Sequence, residues 1–225
     1  ALASGAALTV LGICLSKNVL IMMGTPADVL DYAVTYINIY FLGMIPSLIY
    51  NIGSGILRAV GDSRRPLYIL IVCTLTNLVL DLAFVLLFHM GVAGAGLATI
   101  LSQAISALLV LYFLSRSNEC YKLTVRKIRF HSDILRHIIK IGLPAGIQSS
   151  MFCISNIIIQ STINTFGTDT MAAWTAYGKI DSVFWMLMSA FGISITTFSG
   201  QNFGCGKLDR VKKSVRISLA MALGS

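Results

Sequence analysis

The chain has 225 residues, 56% of them hydrophobic and only 12% charged, with a mean hydropathy of +0.81. Soluble domains carry about 25% charged residues, so the composition excludes an ordinary water-soluble domain and points to an all-α, polytopic transmembrane helix bundle. The net charge of +8 does not mark a nucleic-acid surface, because 15 of the 17 Lys and Arg fall in alternate loops between apolar segments.

A membrane-spanning helix needs about 20 apolar residues, and Ala1 to Met23 supplies the first. Lys17 lies near enough to its outer end to snorkel. Gly24-Thr25-Pro26 ends it, with Asp28 to Asp31 expected in a short external turn. The second span, Tyr32 to Leu57, carries Pro46 in mid-membrane and Gly53 and Gly55 near its inner end, which predicts a kink or an unwound turn. A compact turn from Leu57 to Pro66 follows, and Pro66 is placed to open the next helix.

The third and fourth spans form an apolar hairpin from Leu67 to Leu114. Asp81 is the only charge from Leu67 to Phe88, and Val92 to Leu114 holds none. A carboxylate there costs about 2.5 to 3.5 kcal/mol on insertion scales, so its default reading is functional. Asn77, four residues earlier, shares its helix face. Gly91, Gly94 and Gly96 are expected to make a tight turn, and Ala93, Ala95 and Ala98 to let the helices approach closely. With the turn centred near Met90, Asp81 and Thr99 are expected at equal depth, about 13 Å along each helix. Tyr36 lies somewhat nearer the surface. The residues thus offer a polar set of Tyr36, Asn77, Asp81 and Thr99. A threonine bonded to its own helix, an interfacial tyrosine and a structural carboxylate paired to another helix remain open beside it.

A long basic stretch runs from Arg116 to Lys140, in which Ser132 is expected to cap an interfacial amphipathic helix with Ile134, Leu135, Ile138 and Ile139 on one face. Gly142-Leu143-Pro144 then opens the fifth span, along which Ser149, Cys153, Asn156, Gln160 and Asn164 make one polar stripe. Interhelical hydrogen bonding and a solute path both explain such a stripe. The sixth span, Met171 to Ser199, carries Lys179 and Asp181 on different faces. Ile217 to Ser225 reads as the opening of a seventh apolar helix, so an internal portion of a longer protein is expected.

The basic residues group as Arg58, Arg64 and Arg65; then Arg116, Lys122, Arg126, Lys127, Arg129, Arg136 and Lys140; then Lys207, Arg210, Lys212, Lys213 and Arg216. All three groups fall on one side, which the positive-inside pattern places in the cytoplasm of a cell-membrane protein. The five cysteines show no metal-ligand spacing, and the three histidines are scattered. No nucleophile and base or metal set for an intramembrane enzyme stands out.

Several of these stretches together resemble the multidrug and toxic compound extrusion (MATE) transporters: Leu57-Arg58-Ala59-Val60-Gly61-Asp62-Ser63-Arg64-Arg65-Pro66, Asn77-x-x-x-Asp81, and Gly91-Val92-Ala93-Gly94-Ala95-Gly96-Leu97-Ala98-Thr99. Ile141-Gly142-Leu143-Pro144 and Gly200-Gln201-Asn202-Phe203-Gly204 continue the likeness across the chain. The resemblance implies six spans and the start of a seventh from a two-lobe, twelve-helix transporter. Residues 1–115 would be the last four helices of the first lobe, 116–140 a basic linker, and 141–225 the opening helices of the second lobe. It implies a cation-coupled antiporter that exports amphiphilic, often cationic, drugs or toxins, with Asp81, Asn77, Tyr36 and Thr99 as the H+ or Na+ site. Na+ at Asp81 and Asn77 would be the only metal, and no cofactor is expected.

Asn156, Gln160, Asn164 and Asp181 are the expected substrate path. Small organic substrates and membrane lipid are the expected partners, without nucleic acid, and the full-length protein is expected to be a monomer. The resemblance also implies an acidic partner on a helix that the matched stretches do not include, and Phe152 stands near where some members have a glutamate. A lipid-linked oligosaccharide flippase and a non-transporting scaffold are the alternatives.

Overall fold

The computed structural model describes residues 2–22, 27–117, 121–124, 129 and 131–224, without the side chains of 27–29, 164, 168 and 169. Among the described residues every regular element is helical: α1 (Leu2–Met22), α2 (Ala27–Leu42), α3 (Met44–Ala59), α4 (Arg64–Leu82) running into a π-helical turn (Ala83–Leu87), α5 (Gly91–Arg116), α6 (Ser132–Asn164), α7 (Thr168–Gly204) and α8 (Leu208–Gly224). Among the described residues five helices are long and apolar enough to cross a membrane, and α2 with α3 makes a sixth, bent span. The 17 residues of α8 fall short of a span. The all-helical, multi-span fold class is therefore as the composition implies. The Gly24-Thr25-Pro26 turn, Arg126 and Lys127 lie outside the described residues.

The chain divides into two compact units, Ala1–Thr124 and Val125–Ser225. In the first unit α5 is the central helix, packed against α2, α3 and α4. Its buried face is built from small residues and two branched ones: Gly94, Gly96, Ala98, Ser102, Ser106, Ala107, Val110 and Leu114. Small side chains let backbones approach closely, which replaces the hydrophobic drive that lipid does not supply. A Cβ added to Gly96 would fall 2.9 Å from Ile39 Cγ2, and one on Gly53 2.8 Å from Val110 Cγ2. Leu57, Ile69, Val110 and Leu114 form a buried cluster, over which Tyr121 and Leu123 pack.

Several local expectations are corrected. The second span bends by 44° at Gly43, not at Pro46 or the glycines beyond it. Pro46 sits in the first turn of α3, where a missing N–H is tolerated, and without that N–H the Leu42 carbonyl loses its usual partner, so the helix breaks ahead of the proline. Gly53 and Gly55 are regular helix. The residues from Asp28 to Asp31 lie within α2 rather than in a turn. His89 (φ 52°) and Gly91 (φ 56°) make the hairpin turn, while Gly94 and Gly96 are helical.

In the second unit the segment from Ser132 is not a separate helix. It runs unbroken into the fifth span, with Pro144 inside α6 and His131 rather than Ser132 at the cap position. The α7–α8 hairpin closes through Gly206 (φ 70°), with the Lys207 N–H donating to Asn202 O at 2.9 Å. Ser199 Oγ and Ser214 Oγ meet at 3.3 Å across it. The Phe152 ring meets Trp185 edge-on at 6.0 Å between α6 and α7. Both helices leave large apolar side chains such as Ile141, Ile157, Ile180 and Met186 exposed, the surface of a protein whose solvent there is lipid or further helices.

Candidate functional site

The candidate cation site lies in the first unit. Asn77 and Asp81 stand one turn apart near the end of α4, just ahead of the π-helical turn. Asn77 Nδ2 and Asp81 Oδ1 are both buried and have no hydrogen-bonding partner, and they alone are so among the described side chains. An unmet donor or acceptor costs about 1 to 3 kcal/mol, more when charged. Native interiors avoid such groups unless a water, an ion or a functional task accounts for them. π-Helical turns are likewise concentrated at functional sites.

Packing contacts set the depth of the other two residues. Cys73 Sγ donates to Ser102 O at 3.4 Å, and a Cβ on Gly94 would meet Phe84 Cβ at 3.0 Å. Between these two crossings Asn77 falls level with Thr99, and Asp81 level with Gly96. The expected equal depth of Asp81 and Thr99 is thus shifted by about one turn.

Tyr36 joins the same level from α2: its ring atom Cδ2 lies 3.6 Å from the position of a Cβ on Gly96. The residue is 37% exposed, so it is not sealed into the core. Thr99 Oγ1 donates to Ala95 O at 3.0 Å, which spends its proton on its own helix but leaves its oxygen lone pairs available. No hydrogen bond joins any two of the four among the described residues. They occupy two adjacent levels of a wall made by α2, α4 and α5.

Sequence reasoning passed over Gln103, one turn beyond Thr99 on α5. Its Oε1 lies 3.1 Å from where a Cβ on Gly43 would stand, against the break between α2 and α3. It also passed over Ser16 and Asn38, whose side chains hydrogen-bond at 2.7 Å between α1 and α2, and Thr9, which donates to Phe41 O at 2.8 Å. The available signal was a polar residue in an apolar helix, which is weak without a charge to raise its cost.

The other candidates lie in the second unit. Asn156 and Gln160 are on exposed turns of α6, and the side chain of Asn164 lies outside the described residues. Asp181 is half-buried and accepts from the Tyr177 hydroxyl at 3.5 Å, one turn away on the same helix. Ser149 Oγ donates to Ala145 O within α6, so that part of the stripe bonds its own backbone. Among the described residues no group of three His, Cys, Asp or Glu side chains is arranged to hold a metal ion.

Comparison with known proteins gives a consistent set of likenesses. The MatE family model matches residues 1–83 and 144–225. Over 200 residues the chain is 33% identical to a Bacillus subtilis (strain 168) protein named probable multidrug resistance protein YpnP, covering 89% of this chain and 44% of that one. Over 227 residues it is 26% identical to a Shewanella oneidensis protein named FAD transporter, covering 97% of this chain and 49% of that one. A solved structure described as a crystal structure of MATE in the bent conformation matches with a TM-score of 0.88 and 24% identity, over 97% of this chain and 49% of that chain. At that identity the structural likeness bears on the fold. The chain spans about half the length of the relatives it matches.

Proposed function

The chain belongs to the MatE family, and from that premise we propose that it is part of a multi-pass, cation-coupled antiporter that exports amphiphilic, often cationic, compounds by alternating access. The observation that carries this reading is the buried, unpartnered pair Asn77 Nδ2 and Asp81 Oδ1. A buried carboxylate oxygen without a partner in this chain is free to accept a hydrogen bond or to coordinate a cation. In this reading Asp81 is the acceptor, Asn77 orients what binds, and Tyr36 and Thr99 supply further oxygens.

The orientation of Asn77 bears on the coupling ion. With Nδ2 inward the pair presents a donor and an acceptor, which suits H+ carried on the carboxylate or on a bridging water. An amide flip would present oxygen instead and suit Na+, and the two orientations are nearly isosteric.

Coupling follows from charge compensation. Asp81 can be neutralised by the coupling ion or by a cationic substrate, not readily by both, so loading by one favours release of the other. The bend at Gly43, beside Gln103, is the element whose packing would change on loading. Asn156, Gln160, Asn164 and Asp181 would line the substrate path in the second unit. The basic loops would face the cytoplasm of a cell membrane, the positive-inside orientation. The full-length protein would work as a monomer without a cofactor.

The test is dye efflux by the full-length protein in vesicles, with H+ and Na+ gradients imposed separately. Wild type is expected to export under one of them and Asp81→Asn under neither. Full efflux by Asp81→Asn would remove Asp81 from the mechanism. A panel that adds a flavin nucleotide to the cationic dyes would decide the substrate class.

A further inference from the structure

The second unit carries a groove that the transport reading does not use. It lies between α7 and α8, has a volume of about 590 Å³, and is lined by Ser194, Ile195, Phe198, Arg210, Lys213, Ser214, Ile217 and Ser218. We propose that this groove binds an anionic phospholipid, with the phosphate held by Arg210 and Lys213 and an acyl chain lying along Phe198, Ile195 and Ile217.

Three observations carry it. The first is helical phase: Arg210, Lys213, Ser214 and Ile217 recur every three or four residues and share one face of α8, whereas Lys212 and Arg216 occupy the other. Two of the four cations, both exposed, thus line the apolar groove.

The second is depth. Counted at ~1.5 Å per residue from the α7–α8 turn, Arg210 and Lys213 lie within about 8 Å of the helix start, Phe198 about 9 Å in from the end of α7, and Ile195 and Ile217 about 13 Å. Charge near the interface with apolar lining beneath it is the order of a phospholipid molecule. The third is the lack of a counter-ion: among the described residues neither cation meets a carboxylate within ion-pairing distance, the ion pair found there being Asp62–Arg65. The hydroxyls of Ser194 and Ser214 both donate to their own helices, to Ala190 O and Val211 O at 2.8 Å, so the phosphate contacts fall to Arg210 and Lys213. The choice of the anionic leaflet rests on the loop orientation proposed above. The lipid readout does not depend on transport, so either idea can fail alone.

The test uses the full-length protein in nanodiscs of phosphatidylcholine with one photoactivatable probe, either phosphatidylglycerol or phosphatidylcholine. The anionic probe is expected to label the span 194–218 and the neutral one to leave it unlabelled. In Arg210→Gln/Lys213→Gln the anionic probe should bind about 30-fold more weakly, as expected for two lost attractions to an anionic headgroup. Lys212→Gln/Arg216→Gln, with the same net charge, should bind as wild type. Ser214→Phe, which fills the groove and keeps both cations, should also lose the label, so the proposal stays testable if the charge variant does not fold. Equal loss in the two charge variants, equal labelling by the neutral probe, or an unlabelled groove because another segment of the protein covers it would each overturn the proposal.

Discussion

Asn77 Nδ2 and Asp81 Oδ1 lie one turn apart on α4, both buried and neither met by a hydrogen-bonding partner. Asp81→Asn is expected to change stability by no more than about 1 kcal/mol, since Oδ1 makes no hydrogen bond for the substitution to break. Thermal melting and coupled efflux measured on one preparation check this. A large fall in melting temperature would assign Asp81 a structural role.

Thr99 gives a complementary case. Its hydroxyl hydrogen is bonded to Ala95 O, so Thr99→Val should change stability by no more than about 0.5 kcal/mol. If its oxygen contributes to the cation site, the concentration of coupling ion needed for half-maximal transport should rise about tenfold, the usual worth of one bond to a charged group. An ion titration of transport by the variant reads this directly.

Gly53 and Gly55 form an internal control on one turn of α3. A Cβ on Gly53 would press on Val110 at 2.8 and 2.9 Å, while one on Gly55 would meet nothing within 4 Å. Gly53→Ala is expected to destabilise by about 1 to 3 kcal/mol through overpacking. Gly55→Ala should be neutral or stabilise by up to about 1 kcal/mol, since alanine loses less backbone entropy in a helix. Melting curves of the two variants in one detergent decide it.

Asp62 does two things at the start of α4. Its Oδ1 accepts from the Arg65 N–H at 3.1 Å, and its Oδ2 pairs with Arg65 Nε at 3.1 Å. The ion pair is partly exposed, so it contributes little, whereas a lost helix cap costs about 1 kcal/mol. Asp62→Asn should be close to neutral. Asp62→Ala should speed hydrogen exchange in the first turn of α4 about fivefold, the same energy expressed as a rate.

The spans were legible because each is an apolar run long enough to cross a bilayer, and Asn77 with Asp81 was legible because charge in such a run is costly. Local breaks were read less well. The effect of Pro46 falls on the carbonyl four residues earlier, so the bend appears at Gly43. Gly94 and Gly96 look like turn residues but serve close helix approach to Phe84 and Ile39. Leu143-Pro144 looks like a helix start, yet the chain was already helical from Ser132.

The sequence by itself determined the solvent of this protein, its helical class, and a carboxylate in the third span that needs an explanation, because hydropathy and charge act residue by residue. Only the tertiary structure decided the register: that Thr99 stands level with Asn77, that Tyr36 reaches Asp81's level over Gly96, and that Arg210 and Lys213 face a groove. The physical reason is that register depends on close contacts between helices, such as those at Gly94 and Gly96, and these leave no mark on the hydropathy of the chain.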